Sequence, residues 1–150
     1  MKLKVKKAKI LMLEDSQSLA AIYSSYLCNV DYDILVVDTL SSAHDEWVRF
    51  QPDLVLLDVV LPDGSGLDLL KNRPVEKFPA DVIVMTAYGY YGSALDASTL
   101  GAADFLSKPI DCDRLKVAVA YTLKNRHLRT GVEYHSSEGQ GEGGDVSGGF

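Results

Sequence analysis

The sequence predicts an α/β fold: a doubly wound, five-stranded parallel sheet with helices on both faces. Three observations predict it. Short apolar runs recur at intervals of roughly twenty to twenty-eight residues, the alternation expected of βα repeats. The stretches between them carry three-four apolar spacing behind a capping residue. Acids, a hydroxyl and an ammonium close the runs, at the edge where an open α/β sheet places its chemistry.

The first strand is expected near 9 to 13, through Ile10-Leu11-Met12-Leu13, and ends at Glu14 and Asp15. Ser16 then caps a helix whose apolar face is Leu19, Ile22, Tyr23 and Leu27. A second strand near 33 to 37 leads to a helix capped by Ser41 or Ser42, with Ala43, Trp47 and Phe50 facing inward. Pro52 precedes the third strand, Leu54-Val55-Leu56-Leu57-Asp58. Pro62-Asp63 with Gly64 and Gly66 forms a tight turn into the third helix. Val82-Ile83-Val84-Met85 closes on Thr86, and Gly101 ends the fourth helix. The fifth strand, near 104 to 107, is followed by Lys108-Pro109, and Asp111 caps a helix with Leu115, Ala118, Val119, Thr122 and Leu123 on one face. Right-handed crossovers give the flavodoxin-like strand order 2-1-3-4-5, in which the first and third strands flank the topological switch point. Glu14, Asp15 and Asp58 thereby become neighbours.

A chain of 150 residues, 47% of them hydrophobic, has room for one domain with a real core. The net charge of -6 argues against a nucleic-acid surface on this domain. Cys28 and Cys112 lie far apart without metal-ligand spacing, which fits a reducing, cytoplasmic setting. The basic N-terminal segment, residues 1 to 7, lacks the apolar stretch of a secretory signal, and no run reaches the roughly 18 apolar residues of a membrane span. The domain is expected over residues 8 to 129. Residues 130 to 150 hold six of the 12 glycines between Gly139 and Gly149 and are expected to be a flexible Gly-rich linker or chain end.

Three carboxylates at one sheet edge need a counter-charge. Like charges about 4 Å apart cost on the order of 4 kcal/mol per pair at an effective dielectric of 20. Magnesium suits this set, with Asp15, Asp58 and the Val60 backbone carbonyl as direct ligands and Glu14 orienting a bound water. Asp58 is the candidate nucleophile toward phosphorus, and Lys108 and Thr86 are candidates to hold phosphoryl oxygens. Each has a plainer alternative. Asp15 is as well placed to cap the first helix, most lysines are solvent-facing, and a strand-end threonine is commonly a turn hydroxyl. Pro109 restricts Lys108 to an extended or turn conformation. No phosphate-binding glycine motif or hydrolase elbow is present, and His44, His127 and His135 do not cluster with a nucleophile.

Glu14-Asp15, Asp58 with Leu61-Pro62-Asp63 and Gly66, Thr86-Ala87, Gly101-Ala102, Phe105 and Lys108-Pro109 together resemble the response-regulator receiver domains of two-component signalling, over about residues 8 to 129. Tyr23-Ser24-Ser25-Tyr26-Leu27, Asp104-Phe105-Leu106 and Asp113-Arg114-Leu115 are further similar to the receivers of NtrC-class activators, including the quorum-sensing regulators of vibrios. The resemblance implies that Asp58 is the phosphoacceptor, Glu14 and Asp15 its acidic magnesium pocket, Thr86 and Lys108 the phosphoryl-sensing pair, and Phe105 the aromatic switch. It implies a histidine-phosphotransfer protein or histidine kinase as donor, with a homodimer left open. Output would run through the face around residues 88 to 123, and the chain stops about where the ATPase module of a sigma-54-dependent activator would begin. Val60 and Tyr88 occupy the positions that tune phosphoryl lifetime in that family, and neither offers an acid or amide to attacking water, so slow self-dephosphorylation is expected. Two alternatives stand beside this reading. A stand-alone receiver signalling by contact alone is disfavoured by the complete Asp, Thr and Lys set. A phosphatase of the haloacid-dehalogenase type needs a second acid where this chain has Val60.

Overall fold

The computed structural model describes residues 5–28, 31–74, 79–87 and 96–136. Five strands form one parallel sheet: β1 (Ala8–Leu13), β2 (Tyr32–Val37), β3 (Leu54–Asp58), β4 (Asp81–Ala87) and β5 (Asp104–Lys108). Their order is β2-β1-β3-β4-β5, as the crossover rule predicts. The helices are α1 (Gln17–Leu27), α2 (Leu40–Phe50), α3 (Gly66–Lys71), a fourth described over residues 96–99 (α4), and α5 (Cys112–Thr130).

The sheet is buried on both faces, and the two-residue period of each strand sorts its side chains. Ile10 and Met12, Leu54 and Leu56, Ile83 and Met85, with Leu106, pack under α1 and α5. Leu11 and Leu13, Val55 and Leu57, and Val82 and Val84 face α2 and α3 around the buried Trp47. The same alternation carries forward to the strand ends. Glu14, Asp58 and Lys108 continue the first series, while Thr86 continues the second, on the side where Phe105 packs.

Ser16 caps α1 through its hydroxyl, which accepts from the Leu19 amide at 3.2 Å. Asp111 does the same for α5, accepting from the Asp113 and Arg114 amides. The cap of α2 is Thr39, not the expected Ser41 or Ser42: its extended backbone and hydroxyl take the Ser42 amide, and both serines fall inside the first turn. Ile22, expected on the inner face of α1, is 42% exposed, and Ala20 takes the buried position with Tyr23 and Leu27.

Beyond the expected domain edges, Val5–Lys6 pairs in parallel with Glu133–Tyr134. A buried polar network fastens this pair to the N-terminal end of the sheet. Asp53 accepts from the Lys9 amide at 2.8 Å and from the Tyr134 hydroxyl at 3.1 Å, and pairs with Lys6 at 3.0 Å. Arg126, only 5% exposed, bridges Asp53, Asp81 and the Pro79 carbonyl, and Arg129 completes Asp81 at 2.8 Å. The tail expected over residues 130 to 150 is thus packed as far as residue 136, and the rest lies outside the described residues. No helix among the described residues is long and apolar enough to cross a membrane.

Candidate functional site

At the opposite, C-terminal end of the sheet, β1 and β3 are adjacent and deliver three acids to one place. Carboxylate oxygens of Glu14, Asp15 and Asp58 lie within 4.8 Å of one another. Glu14 is 2% and Asp58 5% exposed, whereas Asp15 faces solvent. Because Ser16 is the helix cap, Asp15 is not consumed by that duty.

From the far edge strand β5, Lys108 crosses to donate to Asp58 Oδ2 at 2.7 Å and to Glu14 Oε1. Its peptide bond to Pro109 is cis. Asp58 Oδ1 accepts from the Val60 amide at 3.1 Å, and Glu14 Oε2 accepts from the Ser16 amide at 3.1 Å. Burial pushes the Glu14 carboxyl up, and the Lys108 ammonium and Ser16 amide only partly offset this. Burial works to lower Lys108, but its bonds to Asp58 and Glu14 and their charge outweigh it and leave the lysine raised. Among the described residues, three carboxylates therefore face one ammonium, an excess of negative charge that suits a divalent cation.

Thr86 sits one residue past Met85, the β4 partner of Asp58. It is 1% exposed, and its hydroxyl has no hydrogen-bond partner among the described residues. A buried hydroxyl left unpaired costs roughly 1–3 kcal/mol, a cost that an incoming acceptor would remove. Phe105, half-buried on β5, packs on the same face of the sheet.

The loop after Asp58 is shaped by glycine. A Cβ at Gly66 would stand 2.0 Å from the Asp58 carbonyl oxygen, so that position admits no side chain, and the Gly66 amide donates to Val59 O at 2.7 Å. Gly64 adopts φ +145°, which a side-chain-bearing residue rarely takes. Val60–Leu61 pairs antiparallel with Gly64–Ser65.

The structure thus brings together Glu14, Asp15, Asp58 and Lys108, with Val60 attached to Asp58 by its amide and Thr86 on the neighbouring strand. Tyr88 lies outside the described residues. His127 is half-buried and bonded to Val132 O at 2.8 Å, and His44 and His135 are exposed and remote in sequence from the acids. Sequence reasoning missed Asp63, whose carboxylate accepts from the Leu40 and Ser41 amides of α2. The Pro-Asp-Gly turn marks it locally, but nothing local names a helix 22 or 23 residues away.

Residues 10–120 match the family model of the response regulator receiver domain. The chain is 40% identical over 131 residues to the regulatory protein LuxO of Vibrio cholerae, covering 87% of this chain and 29% of that protein. It is 30% identical to the transcriptional regulatory protein DpiA of Escherichia coli, covering 86% of this chain and 58% of the relative. The chain therefore spans about a quarter to three fifths of the length of these relatives. Among solved structures, it resembles the receiver domain of a LuxO repressor protein from Vibrio parahaemolyticus, with TM-score 0.78 and 42% identity over 86% of this chain and 99% of that one. It also resembles NtrX of Brucella abortus, with TM-score 0.75 and 26% identity over 82% of this chain and 28% of the other.

Proposed function

This chain belongs to the response-regulator receiver domain family, and on that premise we propose that Asp58 accepts a phosphoryl group from a phosphohistidine donor and thereby switches a protein-binding face. One observation carries the reading: the buried Asp58 carboxylate stands among Glu14, Asp15 and Lys108 at the C-terminal edge of the sheet.

The residues fit a magnesium ion, because three hard oxygen donors converge with uncompensated charge. Asp15, Asp58 and the Val60 carbonyl would hold it, with Glu14 orienting a water, and it would supply positive charge against the phosphoryl oxygens. An Asp58 oxygen bonds to phosphorus as the P–N bond of the donor breaks, and the bonding pair stays with the imidazole nitrogen. Lys108 exchanges its bond to Asp58 for one to a phosphoryl oxygen, so its charge follows the transferred group. Thr86 then gains the acceptor its hydroxyl lacks. Its movement frees space for Phe105 and biases α4, β5 and α5 toward a second packing, to the extent that the phosphoryl group prefers that packing.

The relatives' names, regulatory protein LuxO and transcriptional regulatory protein DpiA, support an output in transcription control. The cytoplasmic setting, the sigma-54-dependent activator and the histidine-phosphotransfer protein or histidine kinase as donor are carried into the proposal from the family resemblance. Val60, 49% exposed, offers no proton acceptor to attacking water, which supports a long-lived acyl phosphate. The test is incubation with magnesium and acetyl phosphate, followed by intact-mass measurement. One added phosphoryl group, absent in Asp58→Ala, is expected. An unmodified wild-type chain, or equal labelling of the variant, overturns the reading.

A further inference from the structure

We infer that Asp63 is a positioning residue: it anchors the loop that follows Asp58 onto the N-terminus of α2, and so fixes Val60 beside the acceptor carboxylate. This role rests on the reading of Asp58 as phosphoacceptor.

Three facts support it. Both Asp63 carboxylate oxygens are used, Oδ1 by the Leu40 amide at 2.9 Å and Oδ2 by the Ser41 amide at 3.3 Å. The helix leaves these donors for an outside partner, since its own cap Thr39 takes only the Ser42 amide and its first turn holds no acid. A helix N-terminus favours negative charge, and here that charge arrives from the acceptor loop. The contact depresses the Asp63 carboxyl through its bond from the Leu40 amide, with that from Ser41 adding to it.

The loop is short and closed on itself, so fixing its tip fixes its stem. Val60–Leu61 pairs with Gly64–Ser65, and the Gly64 Cα faces Leu40, whose Cδ1 would lie 2.9 Å from a Cβ there. At the stem, the Val60 amide holds Asp58 Oδ1. Releasing Asp63 removes the one charged tie between α2 and this hairpin that the described residues show.

The experiment compares Asp63→Ala, Asp63→Asn and Thr39→Ala in the whole chain. Thr39→Ala removes a cap from the same helix without touching the loop, so it controls for loss of helix stability. Magnesium titration by calorimetry, the rate of phosphorylation by acetyl phosphate and amide exchange at Val60 are read for each. Asp63→Ala is expected to weaken magnesium binding and slow phosphorylation by about five- to tenfold and to speed Val60 exchange, with Asp63→Asn in between. Thr39→Ala is expected to lower thermal stability yet stay within about twofold of wild type in all three readouts. Equal effects of Asp63→Ala and Thr39→Ala, or unchanged Val60 exchange in Asp63→Ala, overturn the role. A wild-type chain that takes up neither magnesium nor phosphoryl overturns the parent reading instead, a result visible before any variant is compared.

Discussion

The two ends of one sheet bury the same kind of group and treat it in opposite ways. At the N-terminal end, Asp53 and Asp81 meet Lys6, Arg126 and Arg129, together with the Tyr134 hydroxyl and the Lys9 amide, so every charge is answered. At the C-terminal end, among the described residues, the converging Glu14, Asp15 and Asp58 meet one ammonium, that of Lys108, which pairs with Glu14 and Asp58, and the Thr86 hydroxyl has no partner. The closed end ties residues 5–6 and 133–134 to the domain. The open end leaves carboxylate charge that Lys108 alone does not balance. On the proposed reading, it is this incomplete compensation, and not burial alone, that distinguishes the carboxylates of the candidate site.

The largest effect separates the ends by stability. Asp53→Ala removes the carboxylate that Lys6, Arg126, the Lys9 amide and the Tyr134 hydroxyl share and is expected to cost about 3 kcal/mol in denaturant unfolding, whereas Asp58→Asn leaves Lys108 its bond to Glu14 and is expected to change stability by under about 1 kcal/mol while abolishing phosphoryl uptake. Equal costs at the two ends would break the contrast.

Magnesium sharpens it further. At one hundred times its Kd the ion is expected to raise the unfolding free energy by about 2.7 kcal/mol in wild type. In Asp15→Asn, magnesium at that same concentration is expected to give much less stabilisation. Adding chelator should return the wild-type melting curve to its metal-free position.

The smallest effect lies at the closed end and at high pH. Burial, with the Asp53 charge adding, pushes the Tyr134 phenol up to about 12 from its ordinary 10.0. The folded protein keeps a proton that the unfolded chain releases near pH 10, so this contribution is complete below pH 10 and is lost as pH rises toward 12. The stability difference between wild type and Tyr134→Phe is expected to be flat up to pH 10 and to fall above it. A difference independent of pH across that window would contradict the buried phenol–carboxylate bond.

The open end was legible in the sequence because it is built from strand ends. An apolar run that stops at Asp58, Glu14 or Thr86 announces both the strand and the group it delivers, and the crossover rule puts β1 beside β3. The closed end was not legible. Asp53 meets Lys6, Arg126 and Tyr134 across separations of 47 to 81 residues, and no periodicity or spacing encodes such pairings. The α2 start shows the same limit at short range. Thr39, Ser41 and Ser42 are all competent caps, and the extended backbone at Thr39, with Asp63 reaching across from another loop, selects among them.

The central claim is that the C-terminal edge is completed by a phosphoryl group on Asp58. The most direct measurement is a crystal structure of the chain with magnesium and beryllium fluoride, a mimic of the acyl phosphate. The predicted result is the mimic on Asp58, the Thr86 hydroxyl bonded to one of its fluorines, and Lys108 drawn from Asp58 onto another. A pocket without the mimic, or Thr86 still unpartnered with Lys108 still bound to both carboxylates, would contradict it.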